Sequence, residues 1–335
     1  MYGLETYINE HVSAAWIALA VSFLILAKCA DLFVESSVAL ARRFNVPKLV
    51  IGIVLVSLAT TAPELAVSLT AALRGKPEMA LGNAVGSVIV DDGLALSLAA
   101  LLATGPIAII PGVLKTASVF LVTVEVLTFI FVLPDRTLSR WEGVVLVVLF
   151  VCYMTYLFWA HKRGVIPPPK DIEEVKKPKL MSIPAMLLGF LLGLGGIVVA
   201  GRFIVISAST IALSFNVPEA VVALTMVAFG TSIPEVATCV TAARKGHGAL
   251  AVGNILGADI LNICWVAGAS SIANDLVLGK RELYFMFPAM FVIVGTMLAM
   301  LRSGYTMTRR KGAVLFTLYL IYLVISFLLF PPHTT

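Results

Sequence analysis

Two glutamates interrupt stretches that are otherwise apolar. Glu64 follows Thr60-Thr61-Ala62-Pro63, and Glu235 follows Thr231-Ser232-Ile233-Pro234. A carboxylate near the centre of a bilayer costs at least a few kcal/mol and marks a functional position by default. The proline beside each one lacks an N–H and clashes with the carbonyl four residues back, which frees the carbonyls of Ala59 and Gly230. Irregular backbone is tolerated at that depth only where it is buried in protein or lines a wet cavity. Carboxylates, freed carbonyls and the hydroxyls of Thr60, Thr61, Thr231 and Ser232 are all hard oxygens, with no histidine or thiolate among them. Such a set suits calcium or sodium rather than zinc or copper. Calcium takes about six to eight oxygens, and two converging glutamates with freed carbonyls could supply most of that shell.

The helix after each break opens with Gly82-Asn83 or Gly253-Asn254, followed by Gly86 or Gly257. Small residues let membrane helices approach closely, so this helix can press against the broken one. At helical spacing Asn83, Ser87 and Asp91 share one face, as do Asn254, Ala258 and Asn262. Asp91 thereby brings a third carboxylate near the two glutamates. Asp92 and Asp259 point to another face, and an access pathway, a proton relay and a paired polar contact are equally open for them. Glu125 is unassigned.

These residues are carried by a chain of 335 residues, 60% hydrophobic, 13% charged, with mean hydropathy +1.01. That composition excludes a soluble fold and predicts an all-α polytopic membrane protein. Windows of about 20 residues give ten spans, near 12–41, 48–73, 79–103, 112–133, 141–161, 181–213, 218–243, 248–273, 283–301 and 312–331. The first lacks a basic region ahead of it and is expected to remain uncleaved. The stretch from Phe44 to Ser87 reads again without a gap from Phe215 to Ala258, at a constant offset of 171. A Pro-containing polar segment divides the chain into a first repeat (1–161), a cytoplasmic linker (162–180) and a second repeat (181–335). Five spans per repeat, an odd number, turn the second copy upside down, so ten transmembrane helices form two inverted five-helix repeats.

Placing the N-terminus outside puts sixteen lysines and arginines inside and six outside. The positive-inside rule then predicts a multi-pass cell-membrane protein with both termini outside and the central loop cytoplasmic. Basicity here is topology, and no nucleic acid is expected as a partner. Cys29, Cys152, Cys239 and Cys264 lie in apolar windows without paired spacing, which argues for packing over disulfide or zinc chemistry. There is no phosphate-binding G-x-x-x-x-G-K-[ST] loop, so an ion gradient must supply the energy.

With T-[TS]-x-P-E followed by G-N-x-x-G twice, the chain resembles the sodium/calcium exchanger family of the cation/calcium antiporter superfamily. The likeness covers roughly 44–103 and 215–274, and the five-plus-five layout extends it to the whole chain. It implies alternating access, with the first and sixth helices sliding across a rigid core while calcium and sodium compete for a central site. Matched by motif, it implies ion ligands at Thr60, Glu64, Thr231 and Glu235, and sodium contacts at Thr61, Ser87, Ser232 and the backbone around Ser57 and Ala228. Asn83, Asn254, Asp91 and Asn262 complete the candidate set. Three departures stand out. The family has an amide in the first repeat and an acid in the second where this chain has Asp91 and Asn262. Ala258 replaces a hydroxyl matching Ser87. Arg202 stands where the family often carries an acid, with Lys28 and Asp31 on the first helix, where mutual neutralisation or an Arg202–Asp31 bridge is expected.

The expected function is a monomeric antiporter, not an enzyme and without a cofactor. It exports Ca2+ or a similar divalent cation in exchange for Na+, with membrane lipid as its surroundings. A proton-coupled exchanger on the same fold is the alternative. An intramembrane aspartyl protease fits poorly, because adjacent Asp91 and Asp92 point about 100° apart on a helix; a channel on the same repeats is a further possibility.

Overall fold

The structure, a computed structural model, describes residues 5–8, 11–44, 46, 48–163, 182–215, 229–280 and 282–329. Most of the expected linker, segment 216–228 and Ala228 with its expected sodium contact lie outside these. In chain order the helices are α1 (Val12–Arg43), α2 (Gly52–Thr60), α3 (Ala62–Leu73), α4 (Pro77–Leu102), α5 (Pro111–Val132), α6 (Arg140–Lys162), α7 (Ile183–Ser214), α8 (Ile233–Arg244), α9 (Gly248–Ala273), α10 (Leu283–Arg302) and α11 (Arg309–Leu329). Four two-residue strands join their ends: β1 (Ile107–Ala108), β2 (Thr137–Leu138), β3 (Leu276–Val277) and β4 (Thr306–Met307).

Pro63 stops one helix and starts another. The chain bends by 51° between α2 and α3, with Thr61 at the joint and the proline in the first turn of α3, where its missing N–H is tolerated. Ser232 and Pro234 open α8 in the same way. Among the described residues seven helices are long and apolar enough to cross a membrane, eight with the bent pair counted as one. Part of the difference from ten spans is local: the front half of the seventh falls in segment 216–228, outside the described residues, leaving only the 12-residue α8. The tenth expected span coincides with α11, 21 residues long and free of charged residues from Gly312 to Leu329.

Inverted symmetry shows in the connections. β1 pairs with β4 and β2 with β3, both antiparallel, so each repeat is stitched to the other at both ends. Gly75 and Gly246, 171 apart, end α3 and α8 at φ of 72° and 74°, the left-handed conformation that glycine adopts without steric cost. The helices α4 and α9 form the core, with 78% and 89% of their most apolar stretch buried against 22% for α1. α1 lies along α7 at the periphery, with Ile17, Leu24 and Phe23 exposed.

Backbone touches backbone where α2 meets α9. A Cβ on Gly52 would lie 2.6 Å from the Leu250 carbonyl oxygen, and one on Gly257 would lie 2.5 Å from that of Ile53. Neither neighbour can yield, since both are main chain. Gly257→Ala is therefore expected to cost about 1–3 kcal/mol through overpacking, read as a lower thermal unfolding midpoint in detergent; an unchanged midpoint would show that the two helices can part.

The long helices are tied at opposite ends, not to each other as expected. Arg202 of α7 pairs with Glu5 at 2.9 Å. Lys245, just past α8, pairs with Asp31 at 3.1 Å and Glu35 at 2.6 Å on α1. Asp31 thus serves the α8 end instead of Lys28 or Arg202, and Lys28 is in no described ion pair. Basic groups gather at that end. His247, in the loop before α9, has its pKa pushed down to about 4 by burial and then by Lys48, Arg42 and Lys245.

Candidate ion-binding site

The start of α3 delivers Glu64 and the start of α8 delivers Glu235, each in a first turn, where backbone N–H groups lack helical partners and favour a negative charge. Both side chains are fully inside the protein, at 0% and 1% exposure. Each is met by the other repeat. Thr61 donates its hydroxyl to Glu235 Oε1 at 3.3 Å, and Ser232 donates to Glu64 Oε1 at 3.4 Å. These contacts are mirror images under the 171 offset.

The asparagines cross over in the same sense. Thr60 Oγ1 donates to Asn254 Oδ1 at 3.2 Å, and Thr231 Oγ1 donates to Asn83 Oδ1 at 3.4 Å. Their amide groups are held from behind: Asn83 Nδ2 donates to Ser68 Oγ at 3.0 Å, and Asn254 Nδ2 to Cys239 Sγ at 3.4 Å. Ser68 Oγ in turn donates to the Ala80 carbonyl, and Cys239 Sγ to that of Ala251. Amide orientation is thereby fixed, so the carbonyl oxygens of Asn83 and Asn254 both point to the centre. Ser68 and Cys239 were not anticipated, although the offset that paired the glutamates also pairs them; a serine matched by a cysteine does not read as a shared polar position. The buried cysteine acts here as a hydrogen-bonding partner as well as a packing residue.

Asp91 and Asn262, also 171 apart, meet directly, Asn262 Nδ2 donating to Asp91 Oδ2 at 3.3 Å. Each begins a stretch of π-helix, Asp91–Leu96 and Asn262–Ala267, a widened turn often found at functional positions. Asp91, Glu64 and Glu235 are close enough for their charges to act on one another. Among the described residues no three His, Cys, Asp or Glu side chains are grouped tightly enough to share one metal ion. A coordination shell at this centre must therefore be completed by hydroxyl, amide and backbone oxygens. Glu64 Oε2, Glu235 Oε2, Asp91 Oδ1, Asn262 Oδ1 and Ser87 Oγ are buried without a hydrogen-bond partner among the described residues. These leftover oxygens, which would be costly with nothing to bind, are the ones a cation would take. Ala258, at the position matching Ser87, is fully buried and offers none.

Asp92 and Asp259 come together behind this centre. The two carboxyls are near enough for their charges to act on one another, and Glu125 from α5 is near enough to act on both; all three residues are at most 1% exposed, and both oxygens of Asp92 and of Asp259 are buried without a hydrogen-bond partner among the described residues. The offset could not have found this trio, because Val88 and Ile263 stand at the matching positions.

The family profile described as "Sodium/calcium exchanger protein" matches residues 14–159 and 185–328. The sodium/calcium exchanger MaX1 of Methanosarcina acetivorans is 29% identical, over 94% of this chain and 99% of its own. Inner membrane protein YrbG of Escherichia coli is 34% identical, over 76% and 78%. Among solved structures, the sodium-calcium exchanger NCX_Mj soaked with Na+ and Ca2+ superposes with a TM-score of 0.78 at 28% identity, over 92% of this chain and 97% of that one.

Proposed function

The chain belongs to the sodium/calcium exchanger family, and on that footing we propose that it is an antiporter exporting Ca2+, or a similar divalent cation, in exchange for Na+. Transport and not catalysis is what its relatives are named for. The observation that carries the reading is the mirrored crossing of Thr61 to Glu235 and Ser232 to Glu64, which aims both glutamates at one place between the repeats. Thr60, Thr231, Asn83, Asn254, Ser87, Asp91 and Asn262 supply the surrounding oxygens. Three negative charges can hold one divalent ion with a proton or several monovalent ions, and competition for them couples the two fluxes. A single chain contributes both halves of this centre, so a monomer suffices.

The residues 1–161 and 181–335 act as the two inverted halves, joined by a cytoplasmic linker. Orientation follows from charge. Lys48 touches His247, Lys245 reaches α1, and β1–β4 pairing brings the ends of α4, α5, α10 and α11 together, so Arg42, Lys115, Arg302 and Arg309 gather toward the same face. That face is cytoplasmic by the positive-inside rule, which leaves both termini outside.

The test is calcium uptake into proteoliposomes. An imposed sodium gradient is expected to drive it, and a pH gradient at constant sodium is not. Uptake under the pH gradient alone would overturn sodium coupling in favour of the proton-coupled exchanger, which the missing hydroxyl at Ala258 favours.

A further inference from the structure

A crevice of about 650 Å3 opens on the outer surface between α5 and α10, beyond any residue of the ion centre. Its walls are apolar: Leu114, Val119 and Val122 on one side, Leu298 and Ala299 on the other. Val119 and Val122 are 60% and 42% exposed, as expected for a lipid-facing surface. From Lys115 to Thr123 the trench runs eight residues along α5, about 12 Å of helix at 1.5 Å per residue. Its mouth is different. Lys115, one turn into α5, and Arg302, at the end of α10, both line it.

These two cations are uncompensated. Neither has an ion-pair or hydrogen-bond partner among the described residues, and no acid lines the crevice. Neighbouring basic groups are occupied: Lys311 donates to the carbonyls of Met300, Ser303 and Thr306, and Arg309 to that of Ala103. The first turn of α5 also meets the mouth at Gly112, where N–H groups without helical partners add partial positive charge. An apolar trench topped by two free cations and a helix start matches a single kind of guest.

We propose that this crevice is a binding site for an anionic phospholipid, the phosphate held by Lys115, Arg302 and the α5 N-terminus and an acyl chain laid along the trench. Charge complementarity selects the anionic headgroup over a zwitterionic one. The inference rests on the membrane placement of the helices and is independent of the ion chemistry.

The experiment is native mass spectrometry of the full chain in detergent, with phosphatidylglycerol and phosphatidylcholine added in equal amounts. Because basic residues near the surface favour anionic headgroups, retention of phosphatidylglycerol is expected to exceed that of phosphatidylcholine on the order of tenfold or more. The double variant Lys115→Gln with Arg302→Gln should bring the two lipids level. Ala299→Phe, which fills the trench, should reduce both. Arg310→Gln, an exposed charge at the same end but outside the crevice, should keep the preference. Equal retention of the two lipids by the parent protein, a preference unchanged in the double variant, or an equal loss in Arg310→Gln would each overturn the site. Competition by soluble glycerol phosphate alone would also overturn it, since that would identify a free-anion site. These side chains lie at the surface, and an unaltered thermal midpoint in each variant confirms that the fold is intact.

Discussion

Glu64→Gln and Glu235→Gln are each expected to abolish calcium transport and to weaken calcium binding by more than a hundredfold. The magnitude follows from burial. Removing one member of a buried, paired charge arrangement costs about 3–5 kcal/mol, and about 1.4 kcal/mol is a factor of ten. Both carboxylates are at most 1% exposed and each has an oxygen with no partner among the described residues, so a bound ion has no water to replace what glutamine withdraws. Calorimetry and radiolabelled calcium flux give the binding and transport arms. A third measurement separates binding from folding. In ion-free buffer the glutamine variants should unfold at or above the temperature of the parent, because one of two like charges facing each other has been removed. Full-strength calcium binding by either variant would overturn the shared centre, and an equal loss of stability without ions would make the glutamates structural.

Much of this centre could be read before any coordinates, because a duplicated sequence tests itself. Two prolines in front of two glutamates at one offset define both the helix break and the acid, and an odd number of spans dictates that the copies oppose each other. Asn83 and Asn254 followed from the same arithmetic. What the repeat cannot reveal is whatever breaks its symmetry. Asp92 lies close to Asp259 although Val88 and Ile263 occupy the equivalent positions, and Glu125 approaches them from α5. Such contacts depend on the angle between packed helices, which periodicity does not encode. Surface charges were misassigned for a related reason. Lys28 and Asp31 are neighbours on one helix, yet Asp31 turns to Lys245, since a cation on a packed neighbour offers a better-shielded partner than one on the same exposed face.

Helix spans were legible to the extent that hydropathy alone defines them. The bend at Thr61 is announced by Pro63; the π-helical turns at Asp91 and Asn262 have no such signal. A widened turn of this kind is often found at functional positions. Each one starts at Asp91 or Asn262, so the α-helical spacing that puts Asn83, Ser87 and Asp91 on one face, and Asn254, Ala258 and Asn262 on another, holds up to the residues that meet.

That meeting of Asp91 and Asn262 yields the sharpest remaining expectation. Asp91→Asn removes a charge coupled to both glutamates and should reduce exchange far more than Asp92→Asn, whose partner Asp259 lies behind the centre. The reverse order would place the working carboxylate on the other face. Because Asn262 Nδ2 touches Asp91 Oδ2 across the pseudo-twofold axis, the double exchange Asp91→Asn with Asn262→Asp moves the carboxylate by little more than one hydrogen bond and preserves the charge count. Residues in such contact couple by about 0.5–3 kcal/mol, so the double variant should recover on the order of tenfold or more of the flux lost in Asp91→Asn. Measured as a double-mutant cycle on sodium-driven calcium uptake, that recovery would mean that the centre counts charge at the axis and is indifferent to which repeat supplies it. Strictly additive losses would mean the opposite: the two positions serve different ions, and the acid belongs to the first repeat for a reason that symmetry does not contain.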